Sequence, residues 1–147
     1  MEKNSLSRTG HGGETILLVE DEPGVRRLIS QMLLLTGYSV LEAANGTEAI
    51  ALTEECKHTI DLLLTDIVMP FMSGGELAER LGREHPQMRI LFTSGYMDDG
   101  VVREVVSIGA QFLPKPFSPD TLVRKVRQVL DEPWHGLRFR SSSAGEA

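Results

Sequence analysis

Five short apolar runs alternate strictly with five helical patterns, and no other feature of the chain narrows its fold as much. "TILLVE" (15–20), "YSVLEA" (38–43), "IDLLLT" (60–65), "MRILFTS" (88–94) and "AQFLP" (110–114) read as strands. After the first, Val25, Leu28, Ile29 and Met32 recur at helical spacing behind Pro23, with Gly37 as a stop. "NGTEAIALTEEC" (45–56) follows with Asn45 as its N-cap, then "SGGELAERLGREH" (73–85), stopped before Pro86. "DDGVVREVVSIG" (98–109) carries acidic residues in its first turn, which suits the helix dipole. "SPDTLVRKVRQVL" (118–130) closes the series, with Ser118 as N-cap and Pro119 in first position. Such alternation predicts an α/β fold, a doubly wound parallel five-stranded sheet with right-handed crossovers. "ILLV" and "LLLT" are apolar on both faces, as central parallel strands are.

The chain of 147 residues is sized for one domain with a substantial core. Residues 1–13 read as a flexible leader, 14–132 as the folded body, and 133–147 as a largely disordered tail. A net charge of −6 disfavours direct nucleic-acid binding, which wants a basic face. Cys56 is the only cysteine, so no internal disulfide forms and a reducing, cytoplasmic setting is expected. No apolar run nears the roughly 18 residues of a membrane span, and the first residues lack the apolar stretch of a signal peptide.

In open α/β sheets, sites form outside the carboxyl ends of the strands. There the first strand ends in Glu20 and Asp21, with Glu22 next, and the third ends in Asp66. The fourth ends in Thr93 and Ser94, and the fifth leads into Lys115 between Pro114 and Pro116. If the first and third strands are neighbours, Glu20, Asp21 and Asp66 crowd together. Two carboxylates ~4 Å apart repel by about 4 kcal/mol at an effective dielectric near 20, and one lysine cannot offset three. A divalent cation can, and an all-oxygen site open to water suits Mg²⁺ better than zinc. The four histidines, His11, His58, His85 and His135, are scattered without ligand spacing.

The motifs "ILLVEDEPGVRRL", "LLLTDIVMPFMSGGEL", "ILFTSGY" and "FLPKPF" resemble, in order, those of the receiver domain of two-component response regulators. The resemblance spans about residues 14–131. It implies a flavodoxin-like sheet of order 2-1-3-4-5, and a phosphoacceptor module that takes a phosphoryl group from a phosphohistidine onto Asp66. By the same resemblance, Glu20, Asp21, Asp66 and the backbone carbonyl of Val68 hold Mg²⁺, and Lys115 pairs with a phosphoryl oxygen. Pro116 implies a cis Lys–Pro bond, and Gly74 a close loop after the third strand. Ser94 and Phe112 match the switch pair. Ser94 is chosen over Thr93 by the Ser–Gly pair and by its place 28 positions after Asp66. Val68 and Tyr96 match positions that influence the attacking water, and predict slow self-dephosphorylation. Glu20 stands where aspartate is more usual, and Phe112 where tyrosine often is. The implied partners are a sensor histidine kinase or a histidine phosphotransfer protein, with a dimer contact expected on the helix 4–strand 5–helix 5 face. The lead-in "GGETILLVEDEPGVR" resembles receivers at the C-terminus of hybrid sensor kinases.

Other readings fare worse. An aspartate after a strand commonly just opens a loop, but Lys115 and the acidic pair stand at matching strand ends. Phosphohydrolases with an aspartyl nucleophile want a second aspartate two residues on, where this chain has Val68. A flavin carrier wants a hydroxyl- and glycine-rich phosphate loop after the first strand, where "EDEPG" repels phosphate. The expected role is signalling acceptor, acting on no substrate but its own phosphoryl group. Four valines in the fourth helix (Val101, Val102, Val105, Val106) exceed one buried stripe, and Trp134, Leu137 and Phe139 have no assigned place.

Overall fold

Residues 13–95 and 99–138 are described by a computed structural model, the side chains of Asp99 and Val101 excepted. The elements run β1 (Thr15–Val19), α1 (Pro23–Leu35), β2 (Ser39–Ala43), α2 (Gly46–Glu55), β3 (Leu62–Asp66), α3 (Gly74–Glu84), β4 (Arg89–Ser94), α4 (Asp99–Ser107), β5 (Gln111–Pro114) and α5 (Pro119–Asp131). All ladders are parallel and the strand order is β2-β1-β3-β4-β5. Both expectations from the sequence, alternation and order, are met. The third strand starts two residues later than its apolar run and takes in Asp66. Asp61, ahead of it, turns its carboxylate to accept from the Thr15 amide at 2.9 Å.

Local chemistry explains where the helices begin. Asn45 Oδ1 accepts from the Glu48 amide, and Ser118 Oγ from the Thr121 amide. Ser73 and Glu76 form a reciprocal capping box at α3. Each such cap contributes about 1 kcal/mol to its helix. Pro23 and Pro119 occupy first-turn positions, where a missing N–H costs nothing.

Strand alternation sorts the core into two halves. Leu17, Val19, Leu63, Ile90 and Phe92 face Ala49 of α2, Leu77 and Leu81 of α3, and Val105 of α4. Ile16, Leu18, Leu62, Leu64 and Leu91 face Ile29 and Leu33 of α1, and Leu122 and Val126 of α5. Strand order reverses at β1, and right-handed crossovers then send α1 to one face and α2 to α4 to the other. Of the fourth-helix valines, Val105 is core, Val102 half-buried and Val106 exposed. Residues 133–138, placed in the tail by sequence, lie along the body, where Trp134 and Leu137 pack against the α2–α4 core. Among the described residues no helix is long and apolar enough to cross a membrane.

Candidate functional site

The reversal at β1 leaves β1 and β3 as neighbours whose chains leave toward opposite sides, opening a crevice at their carboxyl ends. Glu20 follows β1 directly, and its amide still donates to the Ala43 carbonyl at 3.1 Å. Its side chain is only 3% exposed. Asp66 ends β3, a strand buried along its whole length. Oxygens of Glu20, Asp21 and Asp66 lie within 4.8 Å of one another, with Asp21 exposed on the outer side.

Lys115 comes from the end of β5, two strands from β3, a span of roughly 10 Å that only a long side chain covers. Its Nζ donates to Glu20 Oε1 at 2.7 Å and to Asp66 Oδ2 at 3.1 Å. Burial by itself would lower the pKa of this ammonium. The hydrogen bonds and charges of Glu20 and Asp66 overrule it and push the pKa above the usual lysine value. The Lys115–Pro116 bond is cis.

The backbone completes the pocket. Glu20 Oε2 accepts from the Glu22 amide at 3.2 Å, and Asp66 Oδ1 from the Val68 amide at 3.3 Å. Gly74 donates its amide to the Ile67 carbonyl at 2.8 Å, and a Cβ there would collide with the Asp66 carbonyl oxygen. Only glycine lets α3 begin this close to the end of β3.

Ser94 and Thr93 are both buried. Phe92 belongs to the α2–α4 core and Leu91 to the α1/α5 core, so alternation sends Ser94 to the α2–α4 side and Thr93 to the other. Phe112, partly buried, packs against the α2–α4 core. Ser94 and Phe112 therefore share a face. Val68 is more than half exposed beside the pocket. Tyr96 lies outside the described residues.

Arg26 escaped the sequence reading. Its Nη1 donates to the Glu20 carbonyl at 2.7 Å and its Nε lies 3.6 Å from Glu42 Oε1, tying α1 to the ends of β1 and β2. The overlooked signal was a cation in the first turn of a helix, where the dipole disfavours one.

Three carboxylates converge here, two of them on the Lys115 ammonium, and the possible metal ligands are all oxygen. A hard divalent cation fits that set, since it supplies the missing charge and prefers such ligands. The acidic cluster could hold such an ion, with Asp21 as its exposed member.

The family model of the response regulator receiver domain matches residues 16–127. Over 122 residues, 82% of this chain, the sequence is 40% identical to the sensor kinase CckA of Brucella abortus, of which it spans 13%. The crystal structure of the receiver domain of a hybrid histidine kinase CckA is 39% identical, with a TM-score of 0.68, covering 80% of this chain and 99% of that one. The response regulator TrrA of Thermotoga maritima, solved in complex with Mg²⁺–BeF, is 31% identical with a TM-score of 0.69, over 79% of this chain and 98% of that one.

Proposed function

The chain belongs to the response regulator receiver family, and we propose that it accepts a phosphoryl group onto Asp66 within a two-component phosphorelay. The observation that carries this reading is Lys115 Nζ held between Glu20 and Asp66 at the edge where three carboxylates meet. An ammonium in that place faces whatever is bonded to the Asp66 carboxylate. The donors implied by the family are a sensor histidine kinase or a histidine phosphotransfer protein.

In the transfer, an Asp66 carboxylate oxygen bonds to phosphorus while the phosphorus–nitrogen bond to the donor imidazole breaks. The imidazole keeps the bonding pair and leaves as the neutral ring after taking up a proton. Lys115 Nζ, already 3.1 Å from Asp66 Oδ2, moves to a phosphoryl oxygen and offsets part of its charge. Glu20, Asp21, Asp66 and the Val68 carbonyl would hold Mg²⁺, which would supply neutralisation of the phosphoryl charge and orientation for in-line attack. The complex of TrrA with Mg²⁺ and beryllofluoride supports that choice of cation.

Ser94 turns toward the new phosphoryl group and vacates space on the face it shares with Phe112, which moves inward. The surface of α4, β5 and α5 changes with it. That face is also where a second copy would dock. Val68 offers the attacking water no side-chain hydrogen bond, which favours a long-lived aspartyl phosphate.

The test is incubation with Mg²⁺ and acetyl phosphate followed by intact mass. A single phosphate adduct that Asp66→Asn abolishes supports the assignment. An adduct that survives this substitution, or none in the wild type, overturns it.

A further inference from the structure

The segment after α5 is fastened at both ends. At its root, the Glu132 carbonyl accepts from Arg89 Nη2 at 2.8 Å and Nε at 3.3 Å, and Glu132 Oε1 accepts from Gln111 Nε2 at 3.1 Å. These bonds fix it to the first residues of β4 and β5. Further on, Trp134 Nε1 donates to the Pro86 carbonyl at 3.0 Å, in the turn before β4. At the far end, the Arg138 amide donates to the Ile108 carbonyl at 2.9 Å, and the Arg138 side chain lies over Gly109. Gly109 has φ 85° and reverses the chain between α4 and β5. Trp134 and Leu137 pack against the same core as Ile108, Ala110 and Phe112.

We propose that residues 133–138 form a strap that holds the C-terminal end of α4 as described and is released when Asp66 is phosphorylated. The inference rests on the phosphoacceptor reading and extends it to the outgoing chain. Ile108, whose carbonyl the strap engages, stands four residues before Phe112 in the chain. A repacking of Phe112 that moves α4 or the turn at Gly109 displaces the Ile108 carbonyl from the Arg138 amide. The strap's contacts belong to the present arrangement alone, so they bias the protein toward it. Linkage is reciprocal: if phosphorylation weakens the strap, weakening the strap favours phosphorylation. Whatever follows residue 138 is then drawn off a point that moves with the state of Asp66.

Trp134 is the only tryptophan of the chain, so its fluorescence reports the strap directly in the 147-residue protein. Samples are taken along a time course with Mg²⁺ and acetyl phosphate, and each is split between intact mass and acrylamide quenching. Quenching that rises in step with the adduct is the expected result. A fully phosphorylated sample with unchanged quenching and emission overturns the strap while leaving the acceptor reading intact. Absence of any adduct overturns both, and the mass alone separates these two failures. Leu137→Ser loosens the strap without touching the fluorophore, and should tighten the equilibrium binding of beryllofluoride, a phosphoryl mimic, in the presence of Mg²⁺ roughly twofold to tenfold. Arg138→Pro removes the amide donor together with the side chain over Gly109, at an exposed position, and should act in the same direction if Leu137→Ser fails to fold. An affinity equal to or below that of the wild type in a folded variant counts against the proposal.

Discussion

The two ends of the sheet both gather acidic side chains around one half-buried cation, and they treat charge differently. At the amino end, Arg127 meets Glu14 at 2.8 and 3.4 Å, Asp131 at 2.8 and 3.1 Å, and the Tyr38 hydroxyl at 3.2 Å. All three nitrogens of the guanidinium donate. Its hydrogen bond to Glu14 outweighs desolvation and holds its pKa far above the usual arginine value. Asp61, at the same end, satisfies the Thr15 amide. At the carboxyl end three carboxylates converge and only Glu20 and Asp66 reach the Lys115 ammonium, a point charge without the planar fork of arginine. Acidic clusters alone therefore say little about function. The surplus of acceptors over donors marks the end where chemistry is expected, and matched pairing marks the end that holds the fold together.

Four experiments press on this contrast. The largest effect belongs to Asp66→Asn, which should remove the phosphate adduct from the mass spectrum entirely, whereas Arg127→Gln should leave it in place. A loss with Arg127→Gln in a folded protein would erase the distinction between the ends. Next, Mg²⁺ at a hundredfold excess over its dissociation constant should stabilise the wild type by about 2.7 kcal/mol in thermal melts. Asp21→Asn should abolish most of that gain, yet melt higher than the wild type without metal, because a like charge is gone. Third, Arg127→Gln should lower stability by about 1 kcal/mol, discounted because the group is partly exposed, with the Mg²⁺ increment unchanged.

The smallest effect lies at high pH. The folded-state pKa of Lys115 is raised above its ordinary 10.5, so its stabilising contribution is fully present below that value and fades as pH climbs through the raised one. Burial chiefly raises the pKa of Tyr38 as well, so both ends weaken in alkali and only a difference is informative. The stability gap between wild type and Lys115→Met should shrink in chemical denaturation above pH 10.5. A gap that widens there contradicts the ion pair.

Much of this was legible beforehand because its causes are local. Pro23, Gly37, Asn45, Ser118 and Pro119 act within one helical turn, and helix boundaries fell within about two residues of those expected. The convergence of Glu20, Asp21, Asp66 and Lys115 followed from the strand order that the resemblance to receiver domains implied. Less accessible was what depends on distance between elements. The bond from Lys115 to Glu20 joins residues 95 apart in sequence, and the longer glutamate was read only as a metal ligand. Arg26 reads as a surface arginine until the β1 and β2 ends are seen to meet beside it. The place of Trp134 requires the Pro86 carbonyl, 48 positions away. No period or cap encodes such a meeting.

Strand β3 is buried from Leu62 to Asp66, paired with β1 as far as Thr65 and with β4 as far as Asp66. Backbone so enclosed opens only when the whole domain does, at the full cost of unfolding. The acceptor carboxylate therefore has no private way to fail. On warming, the protein should keep its capacity for phosphate undiminished and then lose it abruptly, at the same temperature as everything else.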